Sequence, residues 1–258
     1  MSFVVGTADG VTRLSGPDTR FLSTGFDGGF SRGTAAYNVT VPEGWGEEGP
    51  RDLRAYATGR IEDAGFDPAR DAPILLTGVE TRHARVARLD SVVAVATVGL
   101  SNPAALPVDT DWLDHTGEPK RADADGIGDG GEETRPPPGT VNLMIGTTRA
   151  LPAGALANLV AVAAEAKATT LIATTGFPGT TSDAMVVGCE TNGTGDRFSG
   201  PATPVGSAVR ACVRDAVLAS LRSRYAEEPI PESVAAAEHG VVTDRRAAVT
   251  AVDGDPVG

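Results

Sequence analysis

Apolar and polar positions alternate along this chain in unequal groups, some with the period of strands and some with the period of helices. From Phe3 to Val41 short apolar runs are broken by glycines, including Ser23-Thr24-Gly25-Phe26-Asp27-Gly28-Gly29-Phe30, which predicts short strands joined by turns. Residues 52–66 have helical spacing, weakened by Gly59. Strands follow at 74–79 and 91–100, with the basic stretch 82–88 between them. Beyond residue 140 the pattern is dense: a strand over 141–145, an alanine-rich helix over 152–167, a strand over 184–189 and a long helix over 204–225. Thr203 is placed to cap that last helix with Pro204 at its first position, and Val209, Val213, Ala216, Val217 and Leu221 form its apolar stripe. Residues 240–252 supply at most one edge strand. Strands and helices that come in groups rather than in strict alternation predict an α+β domain with largely antiparallel or mixed sheets flanked by helices.

Between Pro107 and Gly139 the pattern lapses into nine acids, three bases and a triple proline, with almost no aliphatics. This reads as an acidic surface insert within a single domain spanning 1–226, with 227–258 as a tail. Asp123, Asp125 and Asp129, interleaved with glycines, hint at a cation loop but lack the terminal Glu of an EF-hand. The whole chain has 258 residues, 34 acids and 22 bases, a net charge of −12, and only two of the bases are lysines, Lys120 and Lys167. Such a surface stays in solution by self-repulsion, as in halophiles, and repels phosphate backbones and anionic lipid, so nucleic acid and membrane are not expected partners. The opening residues lack a signal peptide's apolar region and the most apolar run, 92–100, is half a bilayer span, so a cytoplasmic protein is expected. Cys189 and Cys212 sit in apolar runs and read as buried free thiols.

No histidine pair has metal-ligand spacing, and no nucleophile elbow, phosphate loop or dinucleotide fingerprint is present, so neither a metal nor a cofactor is expected. What remains is a set of hydroxyls, amides and carboxylates where strands should end: Thr24, Asn38, Asn102, Thr140, Asn142, Thr181, Asp183 and Thr203. Asn158 and Glu165 add a shared polar face to an otherwise apolar helix, being seven residues apart. A turn-forming or capping role accounts for many of these residues as well as chemistry does.

Gly139-Thr140-Val141-Asn142, Leu156-Ala157-Asn158, Glu165-Ala166-Lys167, Gly179-Thr180-Thr181-Ser182-Asp183-Ala184 and Gly200-Pro201-Ala202-Thr203-Pro204-Val205-Gly206 resemble the successive motifs of the adenosylcobinamide amidohydrolases, the CbiZ family. Ser23-Thr24-Gly25, Thr77-Gly78-Val79 and Val98-Gly99-Leu100-Ser101-Asn102-Pro103 extend the resemblance over most of residues 20–226. It implies hydrolysis of the amide joining adenosylcobinamide to its aminopropanol arm, giving adenosylcobyric acid and 1-amino-2-propanol in corrinoid salvage, with cobalt present only within the substrate. The acidic, lysine-poor composition would suit a haloarchaeal member. On this reading Thr140 is the candidate nucleophile and Asp183 and Glu165 are acid/base or orienting candidates. Thr24, Asn38, Asn102, Asn142, Asn158, Thr181 and Thr203 are candidate substrate contacts, Asn102 and Asn142 also as oxyanion donors. A fainter resemblance, from Thr140 through Thr147-Thr148-Arg149-Ala150-Leu151, is to the ornithine acetyltransferase and DmpA-type families, which implies an αββα sandwich and a self-generated N-terminal nucleophile. Here Pro136-Pro137-Pro138-Gly139 replaces the cleavage motifs of those families. The alternatives are therefore a non-hydrolytic corrinoid-binding protein and an autoprocessing peptidase or acyltransferase.

Overall fold

Glycine-broken as it is, the N-terminal region folds into long strands: β1 (Val4–Ala8), β2 (Val11–Ser23) and β3 (Gly29–Thr40). The Gly16-Pro17-Asp18 break falls inside β2 as an irregularity in its pairing with β3 and does not end the strand. The computed structural model describes residues 3–42, 52–108, 139–237 and 239–250, so nearly all of the predicted 107–139 insert, its cation loop included, lies outside the described residues. The remaining elements are α1 (Leu53–Asp63), β4 (Ile74–Thr77), β5 (Arg85–Leu89), β6 (Val92–Val98), β7 (Ala104–Ala105), β8 (Val141–Ala150), α2 (Ala153–Thr175), β9 (Ala184–Gly195), α3 (Pro204–Arg224) and β10 (Val241–Val242).

Eight strands form one mixed sheet in the order β4-β3-β2-β9-β8-β6-β5, with β1 beside the first half of β2. The sheet doubles over on itself. Asn38 of β3 and Thr97 of β6, four places apart in that order, are joined by a hydrogen bond of 3.0 Å, which a flat sheet could not allow. Side-chain alternation then sorts every strand into an inner and an outer face. Leu14, Phe21, Ala36, Leu75, Val93, Val95, Met144 and Val186 point inward and pack between the two halves. Outward, Ala35, Tyr37, Val39 and Ile74 bury against Ala57 and Ile61 of α1. On the opposite side Ala94, Ala96, Leu143, Ile145 and Val187 bury against Leu156, Leu159 and Ala163 of α2 and Val209, Val213 and Val217 of α3. The α+β architecture is thus an αββα sandwich of four layers.

Close packing of the two halves depends on missing side chains. Phe3 lies between β2 and β8, where a Cβ on either Gly16 or Gly146 would come within 2.6 Å of its ring. Several elements outrun their predicted bounds. The second helix continues two turns past Lys167 and ends on Gly176 in a left-handed conformation. By length and composition it could cross a membrane, but Leu156, Leu159, Val162, Ala163 and Leu171 are buried in the sandwich, as in a core helix. The basic stretch 82–88 contains an unforeseen edge strand, β5, whose Arg85 and Arg88 fall on opposite faces, toward Ser223 and Phe3 O, and so break its apolar alternation. Of the predicted 240–252 strand the described residues form only β10, paired in parallel with β7.

Candidate active site

Ends of β4, β6, β8 and β9 meet at one end of the sandwich. There the Ser101–Ala105 segment is flanked on one side by Gly179–Thr181, with Ala104 N donating to Gly179 O at 3.0 Å and Thr181 N to Asn102 O at 3.2 Å. On its other side runs the tail, with His239 N donating to Ser101 O at 2.9 Å and Val241 N to Pro103 O at 3.0 Å. Gly139 sits beneath Ser101 and Asn102. A Cβ there would be 2.6 Å from Ser101 N and 2.7 Å from Asn102 Oδ1, so only glycine lets the chain enter β8 at this point.

Thr140 follows, buried, as the inward step into β8. Its hydroxyl donates to Ser182 O at 2.8 Å and lies 3.3 Å from Asn142 Oδ1. Strand alternation puts Asn142 on the same inner face, where its Nδ2 donates to Asn38 Oδ1 and to Leu76 O, both at 2.8 Å. Asn38 Nδ2 in turn donates to Thr97 Oγ1. Thr140, Asn142, Asn38 and Thr97 therefore make a continuous polar chain through an apolar interlayer. Each link satisfies a group whose burial without a partner would cost about 1–3 kcal/mol.

Asp183 closes the group from the β9 side. Its Oδ1 accepts from Val141 N at 3.0 Å and from Thr180 N at 3.1 Å and Thr180 Oγ1 at 2.5 Å, while Oδ2 is paired with Lys167 Nζ from α2. Ser182 Oγ donates to Gly139 O at 3.2 Å. Asn102 is fully buried; its Nδ2 donates to Thr181 Oγ1 at 2.7 Å and its Oδ1 has no partner among the described residues. Thr24 hydrogen-bonds Met185 through both backbone and hydroxyl, fixing the β2–β3 turn to the start of β9.

Of the residues singled out in sequence, Thr140, Asp183, Asn102, Asn142, Asn38 and Thr181 converge here, with Thr24 alongside. Asn38 and Asn142 are largely engaged with each other. Three lie elsewhere. Glu165 is half exposed and bound to Arg210 of α3 at 2.5 Å. Asn158 holds Ser199 at 3.0 Å, and Thr203 caps α3 by accepting from Gly206 N at 3.1 Å. Lys167, Ser182 and Thr97 were not foreseen; scarcity was the signal for Lys167, and a lone hydroxyl within an apolar strand was the signal for Thr97. The thiols are buried and free, and burial pushes both up, Cys212 to about 11, which leaves them unreactive.

The molecule is an α+β protein whose doubled sheet, held between helical layers, gathers a buried hydroxyl, carboxamides and a carboxylate–ammonium pair at one end. A model of the family described as adenosylcobinamide amidohydrolase matches residues 4–229. A protein of Halobacterium salinarum named adenosylcobinamide amidohydrolase is 54% identical over 241 residues, covering 93% of this chain and 96% of that protein. The chain belongs to the adenosylcobinamide amidohydrolase family. Among solved structures, the PH0078 protein from Pyrococcus horikoshii OT3 aligns over 84% of this chain and 78% of that chain at 14% identity and a TM-score of 0.39.

Proposed function

We propose that this protein hydrolyses the amide between adenosylcobinamide and its aminopropanol arm, releasing adenosylcobyric acid and 1-amino-2-propanol in corrinoid salvage within the cytoplasm. Membership of the family across nearly the whole chain carries the reading. Burial and hydrogen bonds support Thr140 as nucleophile: Thr140 Oγ1, fixed between Ser182 O and Asn142, would attack the acyl carbon. Its proton would pass to the departing amine nitrogen as the C–N bond breaks, and the ester left would be cleaved by water to the free acid and the Thr140 hydroxyl. Asp183 orients the strand start through Val141 N, and the exposed Thr181, held from beneath by buried Asn102, would form the adjoining wall toward the substrate. Glu165 is left to tie α2 to α3. On this reading residues 1–226 form one amidohydrolase domain and 227–258 a tail, and the corrinoid brings its own cobalt as substrate.

Incubating the purified protein with adenosylcobinamide in molar KCl is expected to release aminopropanol, with Thr140→Ala losing at least about 10²-fold in kcat. Corrinoid bound for hours without product would replace hydrolysis by ligand holding, and full turnover by Thr140→Ala would remove Thr140 from the mechanism. A second reading rests on the Ser182 Oγ contact to Gly139 O, which polarises the carbonyl just before Thr140. Cleavage there would free an α-amine to act as base for the Thr140 hydroxyl. Intact-mass analysis decides it, since one uncut chain removes this reading.

A further inference from the structure

We propose that Lys167 is a positioning residue for the reaction at Thr140, acting through Asp183; its catalytic consequence rests on the amidohydrolase reading above. The chain meets 20 of its 22 needs for a basic residue with arginine, yet keeps a lysine here. Lys167 is one of the few charged side chains of the described residues that is mostly buried, with 9% of the residue exposed. The fold has shaped the space for a compact ammonium. A Cβ on Gly179 would stand 2.6 Å from Nζ, so the roof over the ion pair is a bare glycine.

The ammonium holds Asp183 Oδ2, and the rest of that carboxylate is spent on the strand start. Oδ1 takes the N–H of Val141, the residue after Thr140, and both donors of Thr180. Ser182, the residue before Asp183, receives the Thr140 hydroxyl. One short segment anchored by Lys167 therefore fixes Thr140 twice, through the backbone on its C-terminal side and through the hydroxyl itself. Without the ammonium the carboxylate is free to turn toward water, and both constraints on the nucleophile loosen.

Lys167→Met, Asp183→Asn and the double variant, compared with wild type on adenosylcobinamide in molar KCl, test this. Hydrogen exchange at Val141 N–H is followed in parallel. Misplacement of the nucleophile is expected to cost Lys167→Met about 10²-fold in kcat with little change in KM. The double variant should be no worse than the poorer single variant, because both act on one clamp. Exchange at Val141 should speed up in each. Wild-type kcat in folded Lys167→Met, or a double variant that regains wild-type kcat as a neutralised structural ion pair would, overturns the proposal. Should a single variant fail to fold with its stranded charge, the double variant carries the same comparison. If wild type yields no product, the amidohydrolase reading falls. Faster Val141 exchange in Lys167→Met would still uphold the clamp, and unchanged exchange would overturn it.

Discussion

His83 illustrates how a residue's surroundings decide its charge. Its Nε2 accepts from Arg82 Nε at 3.2 Å and its Nδ1 faces Ser223 Oγ at 3.1 Å, an arrangement that suits a neutral ring protonated on Nδ1. Burial, and then the charges of Arg82 and Arg224, hold it below its ordinary value of 6.5. The unfolded chain therefore binds this proton more readily than the folded one, and the associated stability is present above pH 6.5 and drains away as the pH falls below it. The thermal midpoint in molar salt should decline between about pH 7 and pH 5, and His83→Gln should decline less. Equal slopes for the two proteins would dissociate His83 from the effect. Glu165 and Lys167, two residues apart on one helix, show what was legible at this scale. Residue type and motif singled out Glu165 and passed over Lys167; about 200° of rotation separates their directions, and only packing decides that Lys167 faces Asp183 while Glu165 faces Arg210.

At the scale of elements, the sheet halves approach each other only because β2 and β8 present glycines to Phe3. Gly146→Ala should destabilise the protein by about 1–3 kcal/mol through overpacking, read as a lower denaturant midpoint with an unchanged m value. A midpoint equal to wild type would mean that the interlayer has slack. A short apolar run made the β8 strand readable, but not the inward direction of Asn142, because both faces of that strand are buried. The cap of α3 was readable because Thr203 and Pro204 act within a single turn. Strand β5 was not readable, because an edge strand buries too little for its apolar period to stand out. Neither was the continuity of β2 through Gly16-Pro17-Asp18, where pairing with β3 on one side and with β1 and then β9 on the other outweighs a local break.

Across the whole molecule the net charge of −12 sets the conditions in which the fold is stable. Like charges repel more at low ionic strength, where the Debye length is about 10 Å at 0.1 M against about 3 Å at 1 M. The thermal midpoint should therefore rise as KCl is raised across that range, and a flat or falling midpoint would mean that self-repulsion is not what salt relieves. The tail also acquires its place only at this scale, by pairing with Ser101–Ala105 beside the site. The acidic composition, the α+β grouping, the family motifs and the local caps were all legible along the chain, because each depends on composition or on neighbours within a few residues. Long-range packing was needed to bring Asn38 to Asn142 and Thr97, to set Lys167 against Asp183, and to leave Glu165, Asn158 and Thr203 apart from Thr140. Those contacts join strands four places apart in one sheet, or a helix to a loop, and they exist because burying both faces of that sheet folds it double.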